Sequence, residues 1–153
     1  LRKENAKQGI EETEQANINL PARVRMSELF FYAQCCNGIP TCNCNLSEDH
    51  VGFATYGGDG FGSFAPIEML TKTEVRAVAK ELGLPDEFVN KTPIDGLCGK
   101  TDEESFGFSY EVLDKYIRTG EIDDQNVKRK IDEMHEKNLF KLKPMEHYEY
   151  TGE

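Results

Sequence analysis

Three copies of one helix-start signal constrain the fold of this chain more than any other feature of its sequence. The capping-box spacing, an N-cap residue followed three positions later by glutamate, begins at Asn45, Thr71 and Thr101. In a capping box the two side chains satisfy backbone amides that the first helical turn leaves without partners. Gly83 and Gly120 lie where glycine commonly ends a helix. The sequence therefore predicts a short helix at each of the three positions.

Apolar residues at helical spacing predict three more helices. The first has Pro21 in its first turn. The repeats of three or four residues fall at Met26-Leu29-Phe30-Ala33, at Tyr110-Leu113-Ile117 and at Val127-Ile131-Met134. A short strand is predicted at residues 39–43. Long loops rich in Lys, Asp and Gly separate the helices, and loops of that length are usually functional or disordered.

The charge and composition of the chain exclude several classes of function. Its 153 residues fit one domain and carry a formal net charge of −10. Nucleic-acid-binding proteins normally have a basic surface, so we expect no nucleic-acid partner and no docking on an anionic membrane. No stretch approaches the ~20 apolar residues of a membrane span, and the polar N-terminal segment lacks a secretion signal, so a cytoplasmic location is expected. A small anionic substrate is still allowed, because local cations act within a screening length of about 8 Å.

The five cysteines leave two interpretations open. Their odd number and irregular spacing match no small disulfide framework, which favours reduced thiols in a cytoplasmic protein. The alternative is a metal site in which Cys42, Cys44 and Cys98 converge, with His50 nearby. The usual zinc spacing has a second pair of ligands downstream, whereas only Cys98 is available here. We interpret His50 as a packing or hydrogen-bonding residue.

Lys72 and Glu48 each allow a structural and a chemical interpretation. Lys72 would lie in the first turn of its helix, where a cation opposes the helix dipole at a cost of ~0.3–1 kcal/mol. It is either a solvated surface lysine or part of a phosphate site that includes the free amides of the helix N-terminus. Glu48 is either the returning arm of a capping box or a Mg²⁺ ligand beside bound phosphates. The residues alone leave both questions open.

Four glycines, at positions 57, 58, 60 and 62, exceed what a surface turn needs. They are not a dinucleotide-binding fingerprint, because no predicted strand precedes them and no predicted helix follows directly. We predict a mobile lid that closes over substrate. Asp59 within it would contact substrate or hold the turn.

The order of these motifs resembles that of NAD synthetase. The segments that carry the resemblance are NLPARVRM, NLSEDHVGF, GGDGFGSFAP, LTKTEVRAVAKELGLP and KTPIDGLCGKTDEESFGFSYEVLDKYI. Each motif is weak alone, whereas five in this order are specific. The resemblance implies an α/β fold of the adenine nucleotide α-hydrolase-like, Rossmann-like class. It also implies a homodimer with its sites near the subunit interface.

The reaction that this resemblance implies is the ATP- and Mg²⁺-dependent amidation of deamido-NAD. ATP would adenylate the nicotinate carboxylate and release pyrophosphate, and ammonia would then attack the acyl-adenylate to give NAD and AMP. The ammonia would come from solution or from a glutaminase domain of the parent protein. By position, the resemblance assigns deamido-NAD contacts to Arg23, Asp59 and Lys141, ATP contacts to Asn43, Lys72 and Ile94, and Mg²⁺ to Glu48. It assigns no catalytic residue.

Five positions depart from the best-described pattern of that family. Asn43 and Ile94 stand where ATP-contacting threonines are common. Tyr56 and Ser63 replace a lysine and an aspartate that contact substrate, and Phe140 replaces a histidine. We interpret these departures as features of a subfamily or as loss of function.

The family's pyrophosphate loop, Ser-Gly-Gly-x-Asp-Ser, does not occur in the sequence. The chain thus resembles the C-terminal portion of the synthetase domain, mostly helical and lacking most of the parallel sheet. We expect residues 1–18 to be a polar linker or the tail of a preceding element, 19–144 the synthetase portion and 145–153 a polar tail. Such a chain would be a fragment, a truncated product or one piece of a split enzyme, inactive alone. The alternative is a non-catalytic remnant that acts as a dimerisation or interaction module.

Overall fold

Helices account for nearly all of the regular structure. The computed structural model describes residues 2–94, 96 and 99–152. Within those ranges the elements are α1 (Arg2–Lys7), α2 (Glu14–Cys35), α3 (Leu46–Val51), α4 (Lys72–Glu81), α5 (Asp86–Val89), α6 (Asp102–Phe106), α7 (Tyr110–Thr119), α8 (Gln125–Asn138) and a 3₁₀ turn at Leu139–Lys141. The mostly helical character of the chain is therefore confirmed. The strand predicted at 39–43 is wrong, because only an isolated parallel bridge between Thr41 and Phe64 forms there.

All three predicted capping boxes are present. At α3, α4 and α6 the N-cap side chain accepts a hydrogen bond from the third amide of the helix, and the glutamate at that position accepts one from the N-cap amide. α7 begins after Ser109, whose side chain accepts from the amide of Val112, and ends at Gly120 in the left-handed conformation. Local hydrogen bonds therefore mark each of these helix starts.

The predicted start of the first long helix is wrong. α2 begins at Glu14, after Thr13, whose side chain accepts a hydrogen bond from the amide of Ala16 at 3.2 Å. Pro21 lies inside α2 and not in its first turn. The side-chain cap at Thr13 starts the helix earlier than the proline signal suggests. The division of the chain at residue 19 falls within α2 and remains a prediction.

The core lies where α3, α6, α7 and α8 meet. Its buried apolar side chains are Val51, Phe106, Phe108, Tyr110, Leu113 and Ile131. Phe106 packs edge-on against Phe53 and Tyr110, with ring centroids 4.6 and 5.5 Å away. His50 of α3 stacks on His135 of α8 with centroids 4.2 Å apart, which confirms its packing role. Burial, and then the neighbouring imidazole, lower the pKa of His50, so the stack is favoured with His50 uncharged.

Several helices expose apolar side chains, α2 and α4 among them. No residue of α4 is buried, and Val78 within it and Leu82 just after it are 43% and 73% exposed. α2 likewise exposes Phe31 and Tyr32 at 62% and 64%. None of the helices built from the described residues is both long and apolar enough to cross a bilayer. The exposed side chains of α2 and α4 lie outside the core that holds α3 against α7 and α8.

Candidate functional site

A cavity of about 800 Å³ opens between α2, α4 and the segments that follow α3 and α5. Six of the seven residues that the sequence assigned to ligands line it: Asn43, Glu48, Asp59, Lys72, Ile94 and Lys141. The seventh, Arg23, does not line the cavity, and its Nε donates to the carbonyl oxygen of Tyr56 at 3.1 Å. Arg25 lines the cavity instead, because residues two apart lie on different faces of a helix. The fold thus brings six residues together, and their ligand roles remain predictions.

Glu48 and Lys72 form an ion pair at the wall of this cavity. Lys72 Nζ lies 3.1 Å from Glu48 Oε1, and the lysine and glutamate side chains are 21% and 16% exposed. The other carboxylate oxygen, Oε2, accepts a hydrogen bond from the amide of Asn45 at 3.1 Å. Glu48 therefore closes the capping box of α3 and also faces the cavity, so its two interpretations do not exclude one another.

The N-terminus of α4 has no free amide in its first turn for a phosphate. The amide of Lys72 donates to Ser47 Oγ at 2.9 Å, and that of Thr73 donates to Asp114 Oδ2 at 2.8 Å. The third amide of the helix is bound by the side chain of the N-cap residue, Thr71. The free amides that one of the two interpretations of Lys72 invokes are therefore not available here. Any anion at this end of α4 must be bound by side chains.

Tyr110 contacts Lys72, and Asp102 in turn contacts Tyr110. Lys72 Nζ lies over the ring of Tyr110, 5.4 Å from its centroid, where the ring face attracts a cation. The hydroxyl of Tyr110 donates to Asp102 Oδ2 at 2.8 Å, and both residues are buried. Burial, with neighbouring carboxylates, raises the pKa of Tyr110, so the hydroxyl remains a donor. Sequence reasoning missed both residues, because Asp102 is typical of a first-turn acid and Tyr110 of a core aromatic.

Lys141 reaches the cavity from the 3₁₀ turn at Leu139–Lys141. Its Nζ donates to the carbonyl oxygens of Gly52 and Ala54 at 2.7 and 3.0 Å. Burial lowers the pKa of Lys141, and the negative charge of Asp59 opposes that shift. An ammonium group has three N–H donors, so these two carbonyls leave one for a ligand in the cavity.

The glycine-rich loop packs closely against the rest of the site. Gly57 has a φ of +74°, a left-handed conformation that glycine adopts without strain. A Cβ at Gly58 would lie 3.1 Å from that of Ala22, and one at Gly62 would lie 2.3 Å from the amide nitrogen of Cys42. Backbone conformation and close packing therefore account for these glycines. The predicted lid motion is not needed to explain them and stays a prediction.

Asp59 ties this loop to the cavity wall. Its Oδ1 accepts a hydrogen bond from the amide of Thr55 at 3.0 Å. Its carbonyl oxygen accepts from Sγ of Cys42 and of Cys44 at 3.7 and 3.6 Å. Burial raises the pKa of Cys44, so this thiol keeps its proton and acts as a donor. Among the described residues no group of three or more potential metal ligands occurs, and Cys98 of the alternative metal site lies outside those residues.

The cavity is basic although the chain is acidic. Five basic residues line it, namely Arg25, Lys72, Arg76, Lys91 and Lys141, and three acidic ones, Glu48, Asp59 and Asp102. The whole chain has a formal net charge of −10. A concave surface with a local excess of positive charge concentrates anions. The cavity therefore suits a ligand that carries several negative charges.

Comparison with known proteins shows the family of this chain. A family model described as NAD synthase matches residues 2–148. The NH(3)-dependent NAD(+) synthetase of Mesoplasma florum is 39% identical over 121 residues, which are 78% of this chain and 49% of that protein. The corresponding protein of Methanococcus aeolicus is 44% identical over 103 residues, or 67% of this chain and 41% of its own length. The chain spans about half the length of the curated relatives it matches.

Solved structures share the fold of nearly the whole chain. NMN synthetase from Francisella tularensis superposes with a TM-score of 0.87 at 28% identity, over 97% of this chain and 63% of that one. NH3-dependent NAD synthetase from Campylobacter jejuni, solved with nitrate, superposes with a TM-score of 0.70 at 31% identity, over 96% and 61%. Sequence and structure agree with the motif order and with the basic cavity, and the chain therefore belongs to the NAD synthase family.

Proposed function

We propose that this chain is the part of an NAD synthase that binds ATP and the acid substrate. The reaction is the ATP- and Mg²⁺-dependent amidation of deamido-NAD to NAD through an acyl-adenylate, with release of AMP and pyrophosphate. The observation that carries the proposal is the basic cavity in a chain of formal net charge −10. Both substrates are polyanions, and their binding requires local neutralisation of charge.

Three cations of the cavity are available for such ligands. Among the described residues, no ion pair or hydrogen bond engages the side chains of Arg25, Arg76 or Lys91. Lys72 and Arg76 are four residues apart in α4 and so lie on one face of that helix. Unpaired cations around one cavity repel each other until an anion binds between them. Their arrangement supports binding of the ATP polyphosphate along this face of α4.

Glu48 fits a Mg²⁺ ion that arrives with the phosphates. Its Oε1 faces Lys72 and the cavity, while the amide of Asn45 holds Oε2. Mg²⁺ at phosphate sites is typically bound by one or two carboxylates, with waters and phosphate oxygens completing its shell. Bound there, the ion would neutralise phosphate charge. In that arrangement Lys72 would bind a phosphate oxygen in place of Glu48.

We place deamido-NAD on the side of the cavity that α2 and Lys141 border. A substrate carboxylate oxygen bonds to the α-phosphorus of ATP and pyrophosphate leaves, and ammonia then bonds to the acyl carbon and AMP leaves. The residues of this chain contribute by holding the two anions together and by excluding water from the mixed anhydride. Lys141 is suited to a substrate anion, because its ammonium is fixed by the carbonyls of Gly52 and Ala54. Arg23 contributes indirectly, through its bond to the carbonyl of Tyr56.

We propose that the chain alone does not form NAD. The Ser-Gly-Gly-x-Asp-Ser loop that the family resemblance assigns to pyrophosphate does not occur in the 153 residues, and the chain spans about half of its relatives. We also propose a homodimer, supported by the exposed Phe31 and Tyr32 of α2, and a cytoplasmic location. The ammonia is supplied from solution or by a glutaminase domain.

Calorimetric titration with ATP and Mg²⁺ tests the proposed binding function. We expect the chain to bind ATP, and Lys72→Ala to weaken that binding roughly tenfold or more, because a charged hydrogen bond is lost. Lys80→Ala is the matched control, since Lys80 lies on the same helix but does not line the cavity. Equal losses in the two variants, or no ATP binding by the folded chain, would contradict the proposal. The second result would favour the non-catalytic interaction module.

A second candidate is the synthesis of NMN from the corresponding mononucleotide acid. It is favoured by the higher TM-score with the NMN synthetase of F. tularensis, 0.87 against 0.70 for the NAD synthetase of C. jejuni. Tyr56 and Phe140, which replace a lysine and a histidine of the best-described pattern, also contact each other with ring centroids 5.7 Å apart. Neither residue lines the large cavity, but Tyr56 lines a smaller pocket together with Lys141, and an aromatic pair there in place of basic side chains suits a ligand with fewer phosphates. Tighter binding of the mononucleotide acid than of deamido-NAD in the same titration would support this candidate.

A further inference from the structure

A buried carboxylate from α7 joins the two helix N-termini of the site. Asp114 is 4% exposed and accepts two hydrogen bonds. Ser47 Oγ donates to its Oδ1, and the amide of Thr73 donates to its Oδ2 at 2.8 Å. Ser47 Oγ in turn accepts a hydrogen bond from the amide of Lys72 at 2.9 Å. One carboxylate and one hydroxyl therefore hold the first two amides of α4 against α3 and α7.

These bonds fix the backbone beside both members of the cavity ion pair. Ser47 directly precedes Glu48 in α3, and Thr73 directly follows Lys72 in α4. Any movement of α4 away from α3 and α7 would break the bonds of its first two amides to Ser47 and to Asp114. Because those bonds are buried, their loss would leave polar groups unsatisfied in a region of low dielectric. Asp114 of α7 thus fixes α4 relative to α3, and with them the positions of Lys72 and Glu48.

The charge of Asp114 also offsets the unfavourable position of Lys72. A lysine in the first turn opposes the helix dipole, whereas a carboxylate at the same end is favourable. Asp114 places a buried negative charge at that end and bonds directly to an amide of the first turn. Asp114 is not among the described residues that line the cavity. It therefore makes no direct contact with a ligand in the cavity and acts through the residues that it holds.

We propose that Asp114 is a positioning residue of the nucleotide site, which acts through Ser47 and the first amides of α4 to hold Lys72 and Glu48 in place for ATP and its metal ion. This inference rests on the proposed function, since it names the residue that orients the same site. Nothing in the cavity lining on the side of Lys141 bonds to Asp114. The acid substrate should therefore bind independently of it.

Asp114→Asn tests this inference through two ligands of the same chain. We expect about tenfold weaker binding of ATP with Mg²⁺, as for other residues that orient a ligand-binding group, and unchanged binding of deamido-NAD. In a Lys72→Ala background the same change should have a smaller further effect on ATP, because one of the two groups that it positions is gone. Ser47→Ala is a second, smaller perturbation of the same bonds, for use if Asp114→Asn does not fold.

Asp132→Asn is the control variant, because it also neutralises an acid that joins α7 to α8 but does not contact α4. Asp132 accepts hydrogen bonds from Tyr116 Oη and Lys128 Nζ between α7 and α8, away from the first turn of α4. It should leave the affinity for ATP unchanged. Wild-type affinity for ATP in Asp114→Asn, or equal weakening of both ligands, would overturn the inference alone. A folded wild-type chain that binds no ATP would overturn the proposed function and this inference together.

Discussion

Replacing Gly62 by alanine tests whether the glycine-rich loop is packed or free. The new Cβ would lie 2.3 Å from the amide nitrogen of Cys42 and 2.8 Å from the carbonyl carbon of Thr41. These are backbone atoms, so the loop itself must move. Overpacking of this kind costs about 1–3 kcal/mol. The movement would also strain the adjacent bonds of Cys42 to Phe64 and of Ser63 to Pro40, each worth about 1 kcal/mol. We expect the free energy of unfolding to fall by about 2–4 kcal/mol.

Gly57 provides the matched comparison within the same loop. A Cβ there meets no atom within 4 Å, and its φ of +74° is the source of any cost. Asparagine tolerates that conformation, so Gly57→Asn should be nearly neutral, whereas Gly62→Asn should be at least as destabilising as Gly62→Ala. Urea denaturation followed by circular dichroism measures all three variants. Little destabilisation by either change at Gly62 would refute the packing argument and support a free lid.

Two further predictions concern side chains around the site. Tyr110→Phe keeps the ring under Lys72 but removes the hydroxyl that donates to the buried Asp102. Urea denaturation should show that the free energy of unfolding falls by about 1.5–3 kcal/mol. An unchanged free energy of unfolding would refute the role of that hydrogen bond. Hydrogen bonds from Arg118, and then from the Thr71 amide, lower the pKa of Glu74 to about 2. Arg118→Gln should raise that pKa toward its ordinary value in an NMR titration, and an unchanged pKa would contradict the assignment. Because the folded-state pKa is depressed, the stabilisation is present above the ordinary pKa of glutamate and is lost as pH falls toward 2, so wild type and variant should converge there.

The helix starts could be predicted because their causes are local. At Asn45, Thr71 and Thr101 the partners of each capping bond lie within three residues of one another, so the sequence contains the whole interaction. The start of α2 was missed because two local signals competed, and the side-chain cap at Thr13 determined it rather than Pro21. Local signals therefore predict helix boundaries well where only one signal is present.

The supporting residues of the site could not be predicted from local patterns. Asp114 lies 41 positions from Thr73 and 67 from Ser47, so its bonds to them depend on how α7 packs against α3 and α4. Tyr110 and Asp102 lie eight positions apart but in different helices, and their hydrogen bond depends on the turn between those helices. In each case the residue type is compatible with an ordinary core or capping role. Only the packing shows which of them reach the cavity.

The state of Lys72 bears on which ligand the cavity can accept. Lys72 pairs with Glu48, and both side chains are mostly withdrawn from water. An anion that attracted Lys72 alone would leave Glu48 with a charge largely buried and unpaired, which is costly. A divalent cation bound with the polyphosphate would avoid this cost, because Glu48 would hold that cation while Lys72 bound a phosphate oxygen. We therefore propose that the cavity binds a metal-complexed polyphosphate in preference to a bare one, and that this preference follows from the ion pair of Lys72 with Glu48.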